Sequence, residues 1–196
     1  MSTRESIIEV AENFILERGY NAFSFQDLAN MVGIKKASIH YHFPTKEDLG
    51  KAIVSKFRTD FKEWAKQLEL QGLNHVEKLD AYFMTYKKFI TQGDKISLEG
   101  ILGAELNSLS EDIQEELRLF FQDRVKWLKQ LLTDGLYTGE FKFTVDVESQ
   151  AMMIVSSIQG VLQIARTNKN PEFFFTVTRM IKNSLMGMQM PVGVKL

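Results

Sequence analysis

The sequence predicts an all-α fold: an N-terminal three-helix domain holding a helix-turn-helix, then a larger C-terminal helical domain, about nine helices in all. Three observations predict it. Apolar residues recur at helical spacing in stretch after stretch. Only three prolines interrupt 196 residues. Residues that favour helix N-caps and glycines that favour helix stops bracket those stretches.

The elements follow in order. Ile8, Ala11 and Ile15, with Ile7 and Phe14, stripe a first helix from Thr3 to Arg18; Ser2 and Glu5 can form a capping box, and Gly19 stops it. Ser24 with Asp27 starts a short second helix that turns Leu28, Ala29 and Val32 inward and ends at Gly33. A third runs from about Lys35 to His42 and is stopped by Phe43-Pro44. Thr45, with Asp48, caps a long helix to about Leu70. Further helices are expected at 74–92, 97–109, 111–138, 147–167 and 171–188, with Ser110, Asp146 and Asn170 as N-caps, Pro171 at a first helical position, breaks at Gly93, Gly139 and Asn168, and a frayed tail from Pro191. The domain boundary is placed at 1–48 and 49–196, with 49–70 as a connecting helix.

Composition narrows the function. The chain is 44% hydrophobic and 25% charged, ordinary for a globular protein. It has no cysteine, which excludes disulfides, thiolate metal sites and thiol chemistry. The N-terminus turns amphipathic at once, unlike a signal peptide. The longest uncharged run, 149–165, is broken by Ser156, Ser157, Gln159 and Gly160 and is short for a membrane span. A cytoplasmic protein with no membrane association is expected. No cofactor and no metal are expected either: His40 and His42 are two apart on a helix and do not face each other. Nor is an enzyme expected, because the C-terminal part has one histidine, and the Glu111, Asp112, Glu115, Glu116 cluster reads as the charged start of a helix.

Net charge is −1, yet its placement is uneven. Three of the five basic residues in the first 50 (Lys35, Lys36, Lys46) lie within 33–47. Two helices joined by a glycine turn form a helix-turn-helix. Ala29 is small where the helices cross, Gly33 makes the turn, Ile34 plugs it, and Ile39 anchors the second helix. The second helix then turns out Lys35, Lys36, Ala37, Ser38, His40, Tyr41 and His42, as a helix entering the major groove of DNA would. Lys36 suits guanine acceptors and Ala37 a thymine methyl; Ser38 suits a phosphate or a base edge. Tyr41, His42 and Lys46 suit the sugar-phosphate backbone. Ser24 and Gln26 stand at a helix N-terminus, where free N–H groups favour phosphate. The alternative is a solvated basic surface.

Residues 4–49 resemble the DNA-binding domain of TetR/AcrR-type transcriptional regulators, on Gly19-Tyr20, Phe25, Leu28-Ala29, Gly33-Ile34, Ile39, Tyr41-His42-Phe43 and Lys46-Glu47-Asp48-Leu49. His40, where an aromatic is usual, and Lys35, where serine is common, depart from the pattern. The resemblance implies a homodimeric regulator, usually a repressor, released from palindromic double-stranded operator DNA when a small-molecule effector binds the C-terminal ligand-binding and dimerisation domain. Residues 99–141 also resemble one branch of these regulators, whose members sometimes carry a redox cysteine near the position of Gly100; this chain has none, so non-covalent sensing is expected.

Two apolar stripes, Val147 to Ala165 and Phe173 to Met188, suggest a dimer interface built on Ile154, Ile158, Leu162, Phe173, Val177 and Ile181, with the small Ser156 and Gly160 allowing close approach. The alternative is that they form the chain's own core. An effector pocket is expected from Tyr82, Phe83, Tyr86, Phe89, Trp127 and Met152, with Glu105 and Gln159 as polar groups, and an apolar or aromatic effector. Each of these positions has an alternative reading as core, and Glu105 as the partner of a basic neighbour.

Overall fold

The computed structural model describes residues 2–91 and 95–188. Its elements are α1 (Thr3–Arg18), a 3₁₀ turn (Tyr20–Ala22), α2 (Phe25–Val32), α3 (Lys36–His42), α4 (Lys46–Glu69), α5 (His75–Met84), α6 (Lys87–Thr91), α7 (Leu98–Ala104), a second 3₁₀ turn (Leu106–Ser108), α8 (Glu111–Tyr137), α9 (Val147–Thr167) and α10 (Glu172–Leu185). The chain is all-α, as expected. The break expected at Gly93 and the tail from Pro191 lie outside the described residues.

Two segments differ from the expected single helices. The 74–92 segment breaks between α5 and α6, where the Thr85 hydroxyl donates to the Tyr82 carbonyl at 2.7 Å. The Thr85 and Tyr86 N–H groups donate three residues back, to Tyr82 and Phe83, tightening the turn. The 97–109 segment stops at Ala104. There Ser108 turns back on the Glu105 carbonyl through both its N–H (2.9 Å) and its hydroxyl (2.7 Å). The caps divide similarly. Asp146 caps α9 by accepting the Ser149 N–H at 2.9 Å, whereas the buried Ser110 hydroxyl has no hydrogen-bond partner.

Cα packing groups the chain into two compact units: Met1–Glu63 with Lys95–Asp123, and Trp64–Asp94 with Arg124–Leu196. The first contains all of residues 1–48. Its core is Ile7, Ala11 and Ile15 of α1, Leu28 and Ala29 of α2, Ile39 of α3, and Leu49 and Ile53 of α4, each at most 1% exposed. Arg58 on α4 pairs with Glu116 (2.7 Å) and Asp123 (3.0 Å) on α8. The second unit is built on α9 packed along α10, around Leu79, Tyr82, Leu128, Leu132, Ile154, Ile158, Phe174 and Leu185. Lys182 reaches Asp80 at 2.8 Å, and the Lys142 N–H donates to the Leu185 carbonyl at 2.7 Å.

Candidate nucleic-acid interface

Local chemistry fixes the angle between α2 and α3. Ser24 and Asp27 form a complete capping box: the Asp27 carboxylate accepts the Ser24 N–H at 2.8 Å and its hydroxyl at 2.7 Å. Those bonds hold the Asp27 carboxyl below the usual range. At the other end Gly33 adopts φ 77, ψ 32, the left-handed region glycine enters without penalty. Its N–H and that of Ile34 both return to the Ala29 carbonyl at 3.0 Å. Ala29 is 1% exposed, so no larger side chain fits there.

With Ile39 fully buried, helix geometry places the other side chains of α3. At about 100° per residue, Ala37 and Tyr41 stand opposite Ile39, Lys36 and His40 share one flank, and Ser38 and His42 the other. Lys35, Lys36, Ala37, His40 and Tyr41 are exposed, Tyr41 at 84%, and Ser38 and His42 are half-buried. Exposed Gln26 bonds Asn30 one turn on, at 2.9 Å. The expected set belongs to the first unit, and one member differs in posture.

That member is Lys46. Its ammonium donates to the Phe23 carbonyl at 2.5 Å and lies over the rings of Phe23 (4.4 Å) and Tyr20 (4.8 Å). Burial pulls its pKa below the usual lysine value, partly opposed by Glu105, Glu47 and Asp27. Lys46 thus braces the start of α4 against the connection between α1 and α2. No sequence spacing signals this, because the acceptor is a backbone carbonyl 23 residues away.

The expected effector residues do not form one group. Tyr82, Phe83, Tyr86 and Phe89 are all buried in the second unit. Tyr82 lies 5.4 Å from Trp127 and 5.7 Å from Tyr86, ring centre to ring centre, and Trp127 is 5.3 Å from Trp64. Arg124, which no sequence pattern singles out, is buried and donates to the Tyr86 hydroxyl. A groove of about 300 Å³ in the same unit is lined by Ala65, Trp127 and Leu131 and by polar residues of both charge signs, Lys66, Lys78, Glu69 and Asp134 among them. Of the expected residues, only Trp127 reaches it. Met152 is exposed and Gln159 half-buried on α9. Glu105 belongs to the first unit, where its carboxylate accepts the Tyr20 N–H at 2.7 Å.

The expected interface residues divide as well. Ile154, Ile158, Leu162 and Ile181 are at most 7% exposed in the single chain, so the chain itself already covers them. The opposite face of α9 is open: Ser149, Met152, Met153, Ser156, Gly160 and Ile164 are exposed, and none is charged. On α10, Phe173 and Met180 are exposed and Val177 half-buried. The exposed positions 149, 153, 156 and 160 repeat at helical spacing, a signal present in the sequence but hidden by the more apolar stripe beside it.

Fold and site together define a helix-turn-helix DNA-binding regulator. Comparison with known proteins is specific. Residues 7–53 match the family described as bacterial regulatory proteins, tetR family. A TetR transcriptional regulator from Legionella pneumophila, of known structure, is 33% identical with a TM-score of 0.86 over 94% of this chain and 98% of that one. A TetR-family regulator from Agrobacterium tumefaciens is 28% identical, TM-score 0.88, over 93% and 97%. The HTH-type transcriptional repressor DhaR of Mycobacterium sp. (strain GP1) is 26% identical over 170 residues, 86% of this chain and 85% of its own length. The chain belongs to the TetR family of bacterial regulatory proteins. Family and relatives are transcriptional regulators, not enzymes. No helix among the described residues is long and apolar enough to cross a membrane.

Proposed function

We propose that the chain is a ligand-responsive repressor that binds a palindromic operator through residues 1–48 and leaves it when a small apolar or aromatic effector binds residues 49–196. The carrying observation is the seven-residue α3, anchored by a fully buried Ile39 and offering Lys35, Lys36, Ala37, His40 and Tyr41 to solvent. Ser24, Gln26, Ser38, His42 and Lys46 complete the interface, Lys46 by bracing its backbone. Repression is supported by relatives named as repressors, DhaR and the NemR of Escherichia coli. The aromatic cluster of Tyr82, Phe83, Tyr86, Phe89 and Trp127 supports an aromatic effector. A fold neighbour, FadR of Bacillus subtilis, was crystallised with stearoyl-CoA. The uncharged face of α9 with Phe173, Val177 and Met180 supports a two-fold dimer, whose symmetry a palindrome mirrors. Such a protein works in the cytoplasm, beside the chromosome.

The test is an electrophoretic shift with the DNA upstream of its own gene. Sequence-specific binding that weakens with salt is expected. Lys36→Ala and Tyr41→Ala are expected to weaken it while leaving association and thermal stability unchanged. Absence of specific binding under every condition refutes the reading.

A further inference from the structure

His40 lies on the exposed Lys36 flank of α3, and its ring is held by two contacts. Nδ1 is 3.2 Å from the Pro44 carbonyl oxygen. The ring packs edge-on against Phe25, centroids 5.0 Å apart at 67°, and Phe25 is itself buried. A carbonyl oxygen only accepts, so Nδ1 carries the hydrogen in that bond. In the neutral ring Nε2 is then a bare acceptor, on the edge turned away from Pro44.

We propose that His40 is a specificity-determining residue: its Nε2 accepts a hydrogen bond from the exocyclic amino group of an adenine or cytosine in the major groove. This rests on the DNA-binding reading above. Phosphate oxygens are acceptors, so a neutral imidazole whose one N–H is spent on Pro44 has nothing to give the backbone. In the major groove the donors are adenine N6 and cytosine N4. Lys36, one turn earlier on the same flank, is a pure donor suited to guanine O6 and N7. The flank therefore presents a donor followed by an acceptor, a directional pattern that two lysines or two histidines would lack. The Phe25 contact and the Pro44 bond hold the ring in place before DNA arrives.

The test removes single amino groups from DNA. The full-length chain selects its operator from randomised duplexes at mildly alkaline pH. Each selected adenine is then replaced by purine, and each cytosine by 2-pyrimidinone. Affinities are measured for the wild type, for His40→Phe, which keeps a ring against Phe25, and for His40→Lys, a donor only. At one position per half-site, deleting the amino group is expected to cost the wild type about tenfold and to cost either variant nothing further. If no amino deletion depends on His40, or if the dependence appears with a methylphosphonate linkage instead, the inference is overturned while the DNA-binding reading stands. If the wild type selects no sequence, both fall.

Discussion

The Glu105 carboxylate accepts the Tyr20 backbone N–H at 2.7 Å and fills the space beside Gly19 where a side chain would begin. Gly19 has φ +100, and a Cβ there would stand 2.7 Å from Glu105 Oε1. The same carboxylate opposes the loss of charge that burial imposes on Lys46, whose ammonium lies over the Tyr20 ring. One acid at the end of α7 therefore secures both the end of α1 and the start of α4, the two helices that flank the helix-turn-helix.

Glu105→Ala leaves the Tyr20 N–H without its partner and removes the first of the three carboxylates, with Glu47 and Asp27, that oppose the shift on Lys46. A stability loss of about 1–3 kcal/mol is expected, read from urea unfolding, with Glu105→Gln losing less because its amide oxygen still accepts. An unchanged urea midpoint for Glu105→Ala would show that water replaces the bond without cost.

Gly19 and Gly33 both have positive φ but differ in surroundings. Around Gly33 a Cβ would meet nothing within 4 Å, so Gly33→Ala carries backbone strain alone, about 1–2 kcal/mol. Gly19→Ala adds displacement of a carboxylate already engaged with Tyr20, so it is expected to cost more. Measured in a Glu105→Ala background, its penalty is expected to fall but to stay above the Gly33 level, because Gly19 at φ 100, ψ 162 lies in a region open almost only to glycine. Equal penalties in both backgrounds contradict the steric part of the argument.

The N-terminal half was the more legible because its elements are specified locally. Ser24 with Asp27, Ala29, Gly33 and Ile39 act within 15 residues of one another, and each had the expected place. Lys46 was not legible, since its partner is the carbonyl of Phe23 and only the folded chain brings them together. In the sequence Glu105 reads as a polar group in apolar surroundings or as the partner of a basic neighbour; its hydrogen-bond partner, the Tyr20 N–H, is 85 residues away. On α9 the apolar period is legible, and its most apolar stripe fits the core alternative. Ile154 and Ile158 mark the chain's own core, because the most apolar stripe of a helix is the one the chain itself buries. The break at Thr85 turns on a hydroxyl competing for a backbone carbonyl, which apolar spacing does not report.

Glu140 supplies a pH dependence. Its carboxylate accepts His75 Nδ1–H at 2.7 Å, the His75 backbone N–H at 2.8 Å and the Val76 N–H at 3.4 Å. Burial pushes its pKa up, but the hydrogen bonds from His75 and Val76 outweigh that and hold the carboxyl below the ordinary 4.5. A carboxyl depressed in the folded state contributes stability that is complete above the unfolded value and is lost as pH falls through the folded one. Glu140→Gln is therefore expected to melt below the wild type at pH 7, with the gap closing as pH is lowered beneath 4.5. A gap in Tm that stays constant from pH 7 to strong acid would mean that the charge of Glu140 contributes nothing.

Association is expected through the open, uncharged face of α9, and two substitutions separate that face from the core beside it. Met153, 45% exposed, and Met180, 48% exposed, can become glutamate without loss of internal packing. At an interface, though, each glutamate would bring an unpaired charge from both subunits into an apolar contact. Met153→Glu with Met180→Glu is expected to give a folded monomer by light scattering, helical by circular dichroism, with weakened operator binding because the two half-sites are no longer linked. Ile158→Ala, at a fully buried position one turn and a half along the same helix, is expected to lose about 2–5 kcal/mol of stability and to associate normally while folded. If the double glutamate variant remains a dimer, the partner surface lies elsewhere; if Ile158→Ala alone dissociates it, the buried stripe and the interface are mechanically coupled through α9.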